Sequence, residues 1–221
     1  MIPVSWSPTV SRLLKIALTV LPGRWEWIWR TEGMDEGAFF QTVRSRLGGL
    51  SQTQVDGIND VLAAAEGSPL AYTSYMLATA WHETNATMQP VREAYWLSEE
   101  WRRKNLRYWP WYGRGYVQLT WEGNYRKADA QCAAVGMIKA GELIANPDLA
   151  MRPDIAAFIM RRGMEEGWFT GVKLSTCLPS EGVASRKQYM DARTIINGRD
   201  KADLIEDYAQ AFERALRDGG W

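Results

Sequence analysis

Apolar residues recur at helical spacing through most of this chain, and no other feature limits its fold so strongly. The first such segment, residues 36–47, places Phe39, Phe40 and Val43 on one helix face and ends at Gly48. Further helices are predicted at residues 51–66, 68–83, 94–105, 124–135, 153–163, 189–196 and 201–217. Residues 116–121 alternate instead, as a short strand or extended segment does. We therefore predict an α+β or nearly all-α domain.

Two helix starts carry specific capping signals. Ser51 and Gln54 have the spacing of a capping box. Ser68 suits an N-cap position, and Pro69 suits the first position of a third helix, which ends near Glu83. Residues 85–90 end in a proline and break the helical pattern. A turn of the chain is expected there.

The balance of charge and the number of aromatic residues restrict the class of protein. The chain has 26 basic and 26 acidic residues among 221. Because a nucleic-acid binder usually shows a basic excess, no nucleic-acid partner is expected. This length can bury one sizeable core, or a large lobe with a small one. The twelve Trp residues suit a carbohydrate cleft, since indole rings pack on sugar faces, although burial in the core explains single Trp residues equally well.

The cysteine and histidine content argues against a disulfide scaffold and a metal site. Cys132 and Cys177 are too few to staple a small fold, and we expect two buried thiols, with a bridge between them as the alternative. His82 cannot form a zinc site by itself, and the zinc-protease pattern needs a second His where Ala86 stands. No metal or cofactor is expected.

The first part of the chain differs from the rest. Residues 1–34 indicate a helical, Trp-rich N-terminal extension, followed by a domain at residues 35–221. The apolar run of the extension is too short to span a membrane, and no small-residue cleavage site follows it. Its Trp and Arg side chains favour contact of residues 1–33 with a membrane surface, and an additional packing helix is the alternative.

Two glutamates are candidates for an acid and a base. Glu83 ends the third helix, where the negative end of the helix dipole and the flanking Trp81 disfavour the charged carboxylate, as a general acid requires. Glu93 follows ten residues later, and the intervening turn lets the two carboxyls face each other, as in an inverting glycosidase. A surface Glu at a helix end is the simpler interpretation of Glu83. Glu99 and Glu100 compete for the role of base, although ion pairs with the basic residues that follow explain both.

A third group of polar residues follows these acids. Tyr112 and Arg114 lie in a glycine-rich turn, where the backbone can approach a ligand closely. Gln118, Thr120 and Asn124 supply neutral hydrogen-bonding groups on an extended segment. Sugars with N-acetyl groups need such partners, so this segment is a candidate substrate-binding region.

Three motifs in this order resemble glycoside hydrolase family 19, which includes plant-type chitinases and related bacterial and phage endolysins. They are His82-Glu83-Thr84, the stretch at residues 112–120 with Asn124-Tyr125, and Ile195-Ile196-Asn197-Gly198. The resemblance covers roughly residues 35–217. The sequence at residues 87–95 is more similar to the bacterial and phage branch than to plant chitinases. It implies a lysozyme-like, predominantly α fold, with two lobes around a substrate cleft and a small extended region. It also implies an inverting mechanism without metal or cofactor.

The resemblance assigns roles to individual residues. Glu83 matches the general acid, and Glu93 is the base by the shorter phage pattern. The substrate-binding residues are then His82, Thr84, Tyr112, Arg114, Gln118, Thr120, Asn124 and Asn197. The Arg that pairs with the acid in the family has no match, since Leu204 falls at its place. Arg92, Arg114 and Arg193 are the alternatives.

These features together predict an endolysin that hydrolyses the β-1,4 bonds of peptidoglycan glycan strands. We expect a monomer that stays in the host cytoplasm until it is released to the cell wall, since no clear signal peptide is present. Chitin is the alternative substrate. A non-catalytic, wall-binding relative of such an enzyme is the alternative in function.

Overall fold

The computed structural model describes residues 33–221, and this part of the chain is mainly helical. Its helices are α1 (Glu36–Leu47), α2 (Gln52–Ala64), α3 (Leu70–Glu83), α4 (Glu99–Asn105), α5 (Glu122–Ala134), α6 (Glu142–Ala145), α7 (Pro153–Glu166), α8 (Leu174–Cys177), α9 (Arg186–Ala192) and α10 (Ala202–Gly219). Two 3₁₀ turns lie at Pro147–Met151 and Arg193–Ile195. The strands β1 (Val91–Arg92) and β2 (Arg114–Gly115) pair antiparallel, with Val91 opposite Gly115. The predicted fold class, predominantly α with a small β region, is confirmed.

The capping signals explain where the first two helices begin. The Asp35 side chain accepts a hydrogen bond from the backbone N–H of Ala38 at the start of α1. At the start of α2, Ser51 Oγ accepts from the N–H of Gln54, and the Gln54 side chain accepts from the N–H of Ser51. The capping box predicted from sequence is therefore present.

The start of the third helix was predicted one position too early. Pro69 has extended backbone angles and occupies the N-cap position, so α3 begins at Leu70. Ser68 makes no capping bond, and its hydroxyl is buried without a hydrogen-bond partner in the described chain. The polar segment at residues 94–105 is helical only from Glu99, where Ser98 provides the cap.

The short strand or extended segment predicted at residues 116–121 is instead mainly a turn. The chain turns at Gln118, which has a φ of 53°, and Arg114 and Leu119 exchange two backbone hydrogen bonds across this turn. The strands lie earlier, at β1 and β2. The alternation at residues 116–121 instead reflects burial, because Tyr116, Val117 and Leu119 are all buried.

The buried side chains form two clusters, which divide the molecule into a large and a small part. The large cluster joins side chains of α1, α2, α3, α9 and α10, and eleven of the fourteen residues of α3 are buried. The small cluster joins side chains of α5, α6 and α7. Helix α7 serves both clusters: Ala157 and Met160 face the large one, and Ile155 and Ile159 face the small one.

The two cysteines and one acid, Asp60, are at least partly shielded from solvent. Cys132 lies in the small cluster and Cys177 packs against the large one, and both are free thiols. Asp60 on α2 is half-buried, and this burial, with the charges of Asp154 and Asp56, raises the pKa of its carboxyl to about 6.

The predicted Trp-rich extension at residues 1–34 and its membrane contact at residues 1–33 lie almost entirely outside the described residues, which begin at Gly33. Within residues 33–221, no helix is both long and apolar enough to cross a bilayer.

Candidate active site

A cleft of about 410 Å³ brings together residues from distant parts of the chain. Its lining comprises Glu83, Glu93, Tyr108, Val117, Gln118, Thr120, Ile196 and Asn197. Both candidate acids lie in it, with three of the candidate binding residues. Its lining comes from the end of α3, the loops around β1 and β2, and the segment after α9.

Glu83 is held by a buried arginine. Arg193 Nη1 donates to Glu83 Oε1 at 2.7 Å, and the Arg193 side chain is only 4% exposed, against 19% for Glu83. Arg193 Nε donates to the carbonyl oxygen of Asp200, which fixes the plane of the guanidinium. Among the three arginines considered from sequence, Arg193 is therefore the partner of Glu83. This contact fixes the Glu83 carboxyl in the cleft.

The other two candidate arginines stabilise a different acid. Arg92 and Arg114 both donate to the Asp148 carboxylate at 2.8 Å. Arg92 and Arg114 lie directly opposite each other in the β1–β2 pair. Their ion pairs hold the small sheet against the 3₁₀ turn at Pro147–Met151.

The neighbours of Glu83 on the chain do not line the cleft. Thr84 is buried, its hydroxyl donates to the carbonyl of Ala80, and it accepts from the N–H of Met88. This corrects its predicted contact with substrate, because no polar atom of its side chain remains available. His82 is half-buried, and burial lowers the pKa of its imidazole.

The chain folds back between the two acids, as predicted. Asn85, Ala86 and Met88 have positive φ angles of 50°, 62° and 52°, which tighten the turn after α3. Gly57 on α2 packs directly on this turn: a Cβ at that position would lie 1.8 Å from the carbonyl oxygen of Met88. The Tyr116 hydroxyl donates to the same carbonyl. The turn is thus held from two sides.

Glu93 directly follows β1 and is fixed by the opposite strand segment. Its backbone N–H donates to the carbonyl of Gly113 at 2.7 Å, and its Oε2 accepts from the Gly113 N–H at 2.9 Å. The Tyr108 hydroxyl donates to Oε1 at 2.6 Å. Burial and this bond raise the pKa of Tyr108 to about 12, so the phenol remains a donor at neutral pH. Each carboxylate oxygen receives one donor and keeps a lone pair for a water molecule.

The competing acids have structural partners. Glu99 accepts from Trp109 Nε1, Arg102 Nε and the Tyr112 hydroxyl, and these donors lower the pKa of its carboxyl despite partial burial. Glu100 pairs with Lys104 one helix turn later. The ion pairs proposed for both residues from sequence are therefore present.

The polar residues of the 112–124 segment divide into two groups. Gln118 and Thr120 line the cleft. Gln118 Nε2 donates to the Val91 carbonyl, and the Thr120 hydroxyl donates to the Gln118 carbonyl, which leaves acceptor oxygens on both side chains. Asn124 is half-buried, and its side-chain amide donates to the Thr120 carbonyl.

Tyr112 and Arg114 lie behind the cleft, which corrects their predicted contact with substrate. Both are almost fully buried, and the Arg114 guanidinium lies 3.6 Å from the Tyr112 ring centroid. Arg114 also donates to Tyr125 Oη and to the Pro110 carbonyl. These contacts support the wall on which Gln118 and Thr120 stand.

Sequence reasoning missed three residues that line the cleft: Tyr108, Val117 and Ile196. Val117 and Ile196 lie inside the recognised motifs next to polar candidate residues, and this neighbourhood could have indicated them. Tyr108 had no signal beyond its place in an aromatic, non-helical segment. Among residues 33–221, no group of three or more potential ligands could hold a metal ion.

Comparisons with known proteins give limited guidance. No protein-family model and no curated protein matches the chain. Among solved structures, it is similar to a mutant of chitinase C, with 18% identity, a TM-score of 0.48, and coverage of 85% of this chain and 92% of that one. It is also similar to a bacterial family 19 chitinase, with 22% identity, a TM-score of 0.45, and coverage of 85% and 95%. At these values, the geometry of the cleft has to carry any functional assignment.

Proposed function

We propose that this protein is a glycoside hydrolase that cleaves β-1,4 bonds of an aminosugar polymer with inversion at the anomeric carbon. The observation that carries the proposal is the convergence of Glu83 and Glu93 on one cleft, each held by its own partners. Two carboxyls on opposite sides of a sugar linkage are what acid/base hydrolysis without a covalent intermediate requires.

Glu83 acts as the general acid. It transfers its proton to the oxygen of the leaving sugar as the glycosidic C–O bond breaks, and it becomes a carboxylate. The Arg193 guanidinium, 2.7 Å away, stabilises the negative charge that develops during this transfer. Arg193 thus favours the transition state over the protonated ground state.

Glu93 acts as the general base. It removes a proton from a water molecule while the water oxygen forms the new bond to the anomeric carbon. The donors Tyr108 and Gly113 fix the orientation of its carboxylate and leave one lone pair on each oxygen for that water. Gln118, Thr120 and Asn197 offer neutral groups to the substrate's amide and hydroxyl groups.

Within this class, we propose peptidoglycan glycan strands as the substrate and the role of an endolysin. The spacing of ten residues between Glu83 and Glu93 resembles the bacterial and phage branch of family 19. Chitin is the second candidate, because the neutral cleft groups fit N-acetylglucosamine equally well. Product release from purified cell walls and from colloidal chitin distinguishes the two, and turnover of chitin alone would overturn the choice of peptidoglycan.

Glu83→Gln tests the role of the acid. Because the amide cannot donate a carboxyl proton, we expect kcat to fall by roughly three orders of magnitude with little change in binding. Glu100→Gln is the matched control, since Glu100 is exposed and pairs with Lys104 away from the cleft. The configuration of the first-formed product, followed by proton NMR, tests inversion. Retained activity in Glu83→Gln would show that another group protonates the leaving sugar.

A further inference from the structure

An exposed arginine and an exposed tryptophan extend one edge of the cleft. Arg107 precedes Tyr108, and Trp121 follows Thr120, so each stands next to a residue of the cleft lining. The Arg107 guanidinium lies 5.2 Å from the Trp121 ring centroid. The Tyr108 ring meets Trp121 edge to face at 5.0 Å. A continuous surface therefore leads from Glu93, through Tyr108, to this pair.

Within residues 33–221, the charge of Arg107 has no acidic partner. In the neighbouring helix α4, Arg102 pairs with Glu99 and Lys104 pairs with Glu100. Among the ion pairs found within residues 33–221, none includes Arg107. Its positive charge also reaches the cleft, because it opposes the rise in the pKa of the Tyr108 phenol. A cation at the mouth of a cleft with two glutamates can bind an anionic group of the substrate.

The indole of Trp121 is held in an exposed position by a strained backbone. Its φ is 73°, a left-handed value that is rare for a bulky residue. Its N–H donates to the Trp111 carbonyl, and its own carbonyl accepts from the Asn124 N–H. Despite these backbone bonds, 47% of its surface is exposed. The fold thus places an apolar ring beside the cleft.

We propose that Arg107 and Trp121 form a binding site for a carboxylate-bearing sugar unit and make the enzyme prefer anionic glycan strands. This inference rests on the proposed function. Peptidoglycan alternates N-acetylglucosamine with a sugar that carries a lactyl carboxyl or an acidic peptide, whereas chitin is neutral. The guanidinium binds the carboxylate, and the exposed indole packs on the apolar face of the sugar.

The test compares one glycan strand with and without its charge. Purified peptidoglycan is used as isolated and after its carboxyls have been converted to amides. We expect the full chain to hydrolyse the native strand with a kcat/KM about three- to fivefold higher than the amidated strand, the size of one exposed ionic contact. Arg107→Gln should remove this preference, and Arg107→Lys should restore part of it. Arg103→Gln, which removes an exposed arginine of α4, is the matched control and should keep the preference.

Salt provides an independent readout. Because an exposed ionic contact is screened, raising the ionic strength to about 0.5 M should reduce the preference of the wild type to that of Arg107→Gln. Equal rates on both strands in the wild type, or an unchanged preference in Arg107→Gln, would overturn the inference while leaving the hydrolase intact. Absence of hydrolysis of either strand by the wild type would instead overturn the proposed function.

Discussion

The pairing of Glu83 with Arg193 can be tested through protein stability as well as activity. Arg193→Met removes the cation, keeps much of the side-chain volume, and leaves the Glu83 carboxyl without its 2.7 Å donor. Removing one partner of a buried ion pair costs about 3–5 kcal/mol. Because 19% of the Glu83 side chain is exposed and water can reach it, we expect the lower value, about 3 kcal/mol.

A double-mutant cycle separates the pairing from simple loss of packing. Glu83→Gln removes the negative charge, so Arg193→Met should then cost only about 1 kcal/mol, a coupling energy of about 2 kcal/mol. Urea unfolding at pH 7, followed by tryptophan fluorescence, measures each free energy. In thermal unfolding, the single variant Arg193→Met should melt about 6–12 °C below the wild type, since 1 kcal/mol corresponds to about 2–4 °C at this chain length.

The activity of the same variants completes the test. Arg193→Met should lower kcat by about two orders of magnitude, because the developing charge on Glu83 loses its stabilising donor. If Arg193→Met costs the same free energy of unfolding in both backgrounds, the two side chains are not coupled and the assigned role of Arg193 is wrong.

Two further predictions concern residues around the cleft and in the core. The folded-state pKa of Asp60, about 6, is above its ordinary value of 3.8, so its contribution to stability is lost as the pH rises through 6. In urea unfolding, Asp60→Asn should therefore stabilise the protein by about 1–2 kcal/mol at pH 7.5 but not at pH 4. An equal effect at both pH values would contradict this. Gly57→Ala should cost about 1–3 kcal/mol and reduce activity, because its Cβ would meet the Met88 carbonyl that holds the turn between the two acids. Gly123→Ala, where nothing lies within 4 Å of the added Cβ, is the control and should be neutral or stabilising; equal behaviour of the two variants would refute the role of the close contact.

Local patterns predicted the longer helices and named both candidate acids, but they did not indicate the short helices α6 and α8. Residues 36–47 were recognised to the residue because the apolar spacing and Gly48 agreed. The start of α3 was misplaced because Ser68 and Pro69 fit two different cap positions, and only the backbone angles decide between them.

Contacts between distant residues could not be predicted in the same way. Arg193 stands 110 positions from Glu83, and nothing in its local sequence distinguishes it from Arg92 or Arg114. The sequence also gave no means to see that Tyr112 and Arg114 face inward. Their motif indicates a functional region, but burial within that region also depends on Asp148, which comes from elsewhere in the chain.

The same separation along the chain has a consequence for biosynthesis. A ribosome adds about 5–20 residues per second, so Arg193 emerges roughly 5–20 s after Glu83. Helix α10, whose Phe212 packs against Trp81 of α3 at 6.0 Å between ring centroids, emerges later still. A nascent chain therefore carries Glu83 for many seconds before Arg193, its hydrogen-bond donor, has been added. The proposed hydrolysis therefore requires a chain that has been made at least through Arg193.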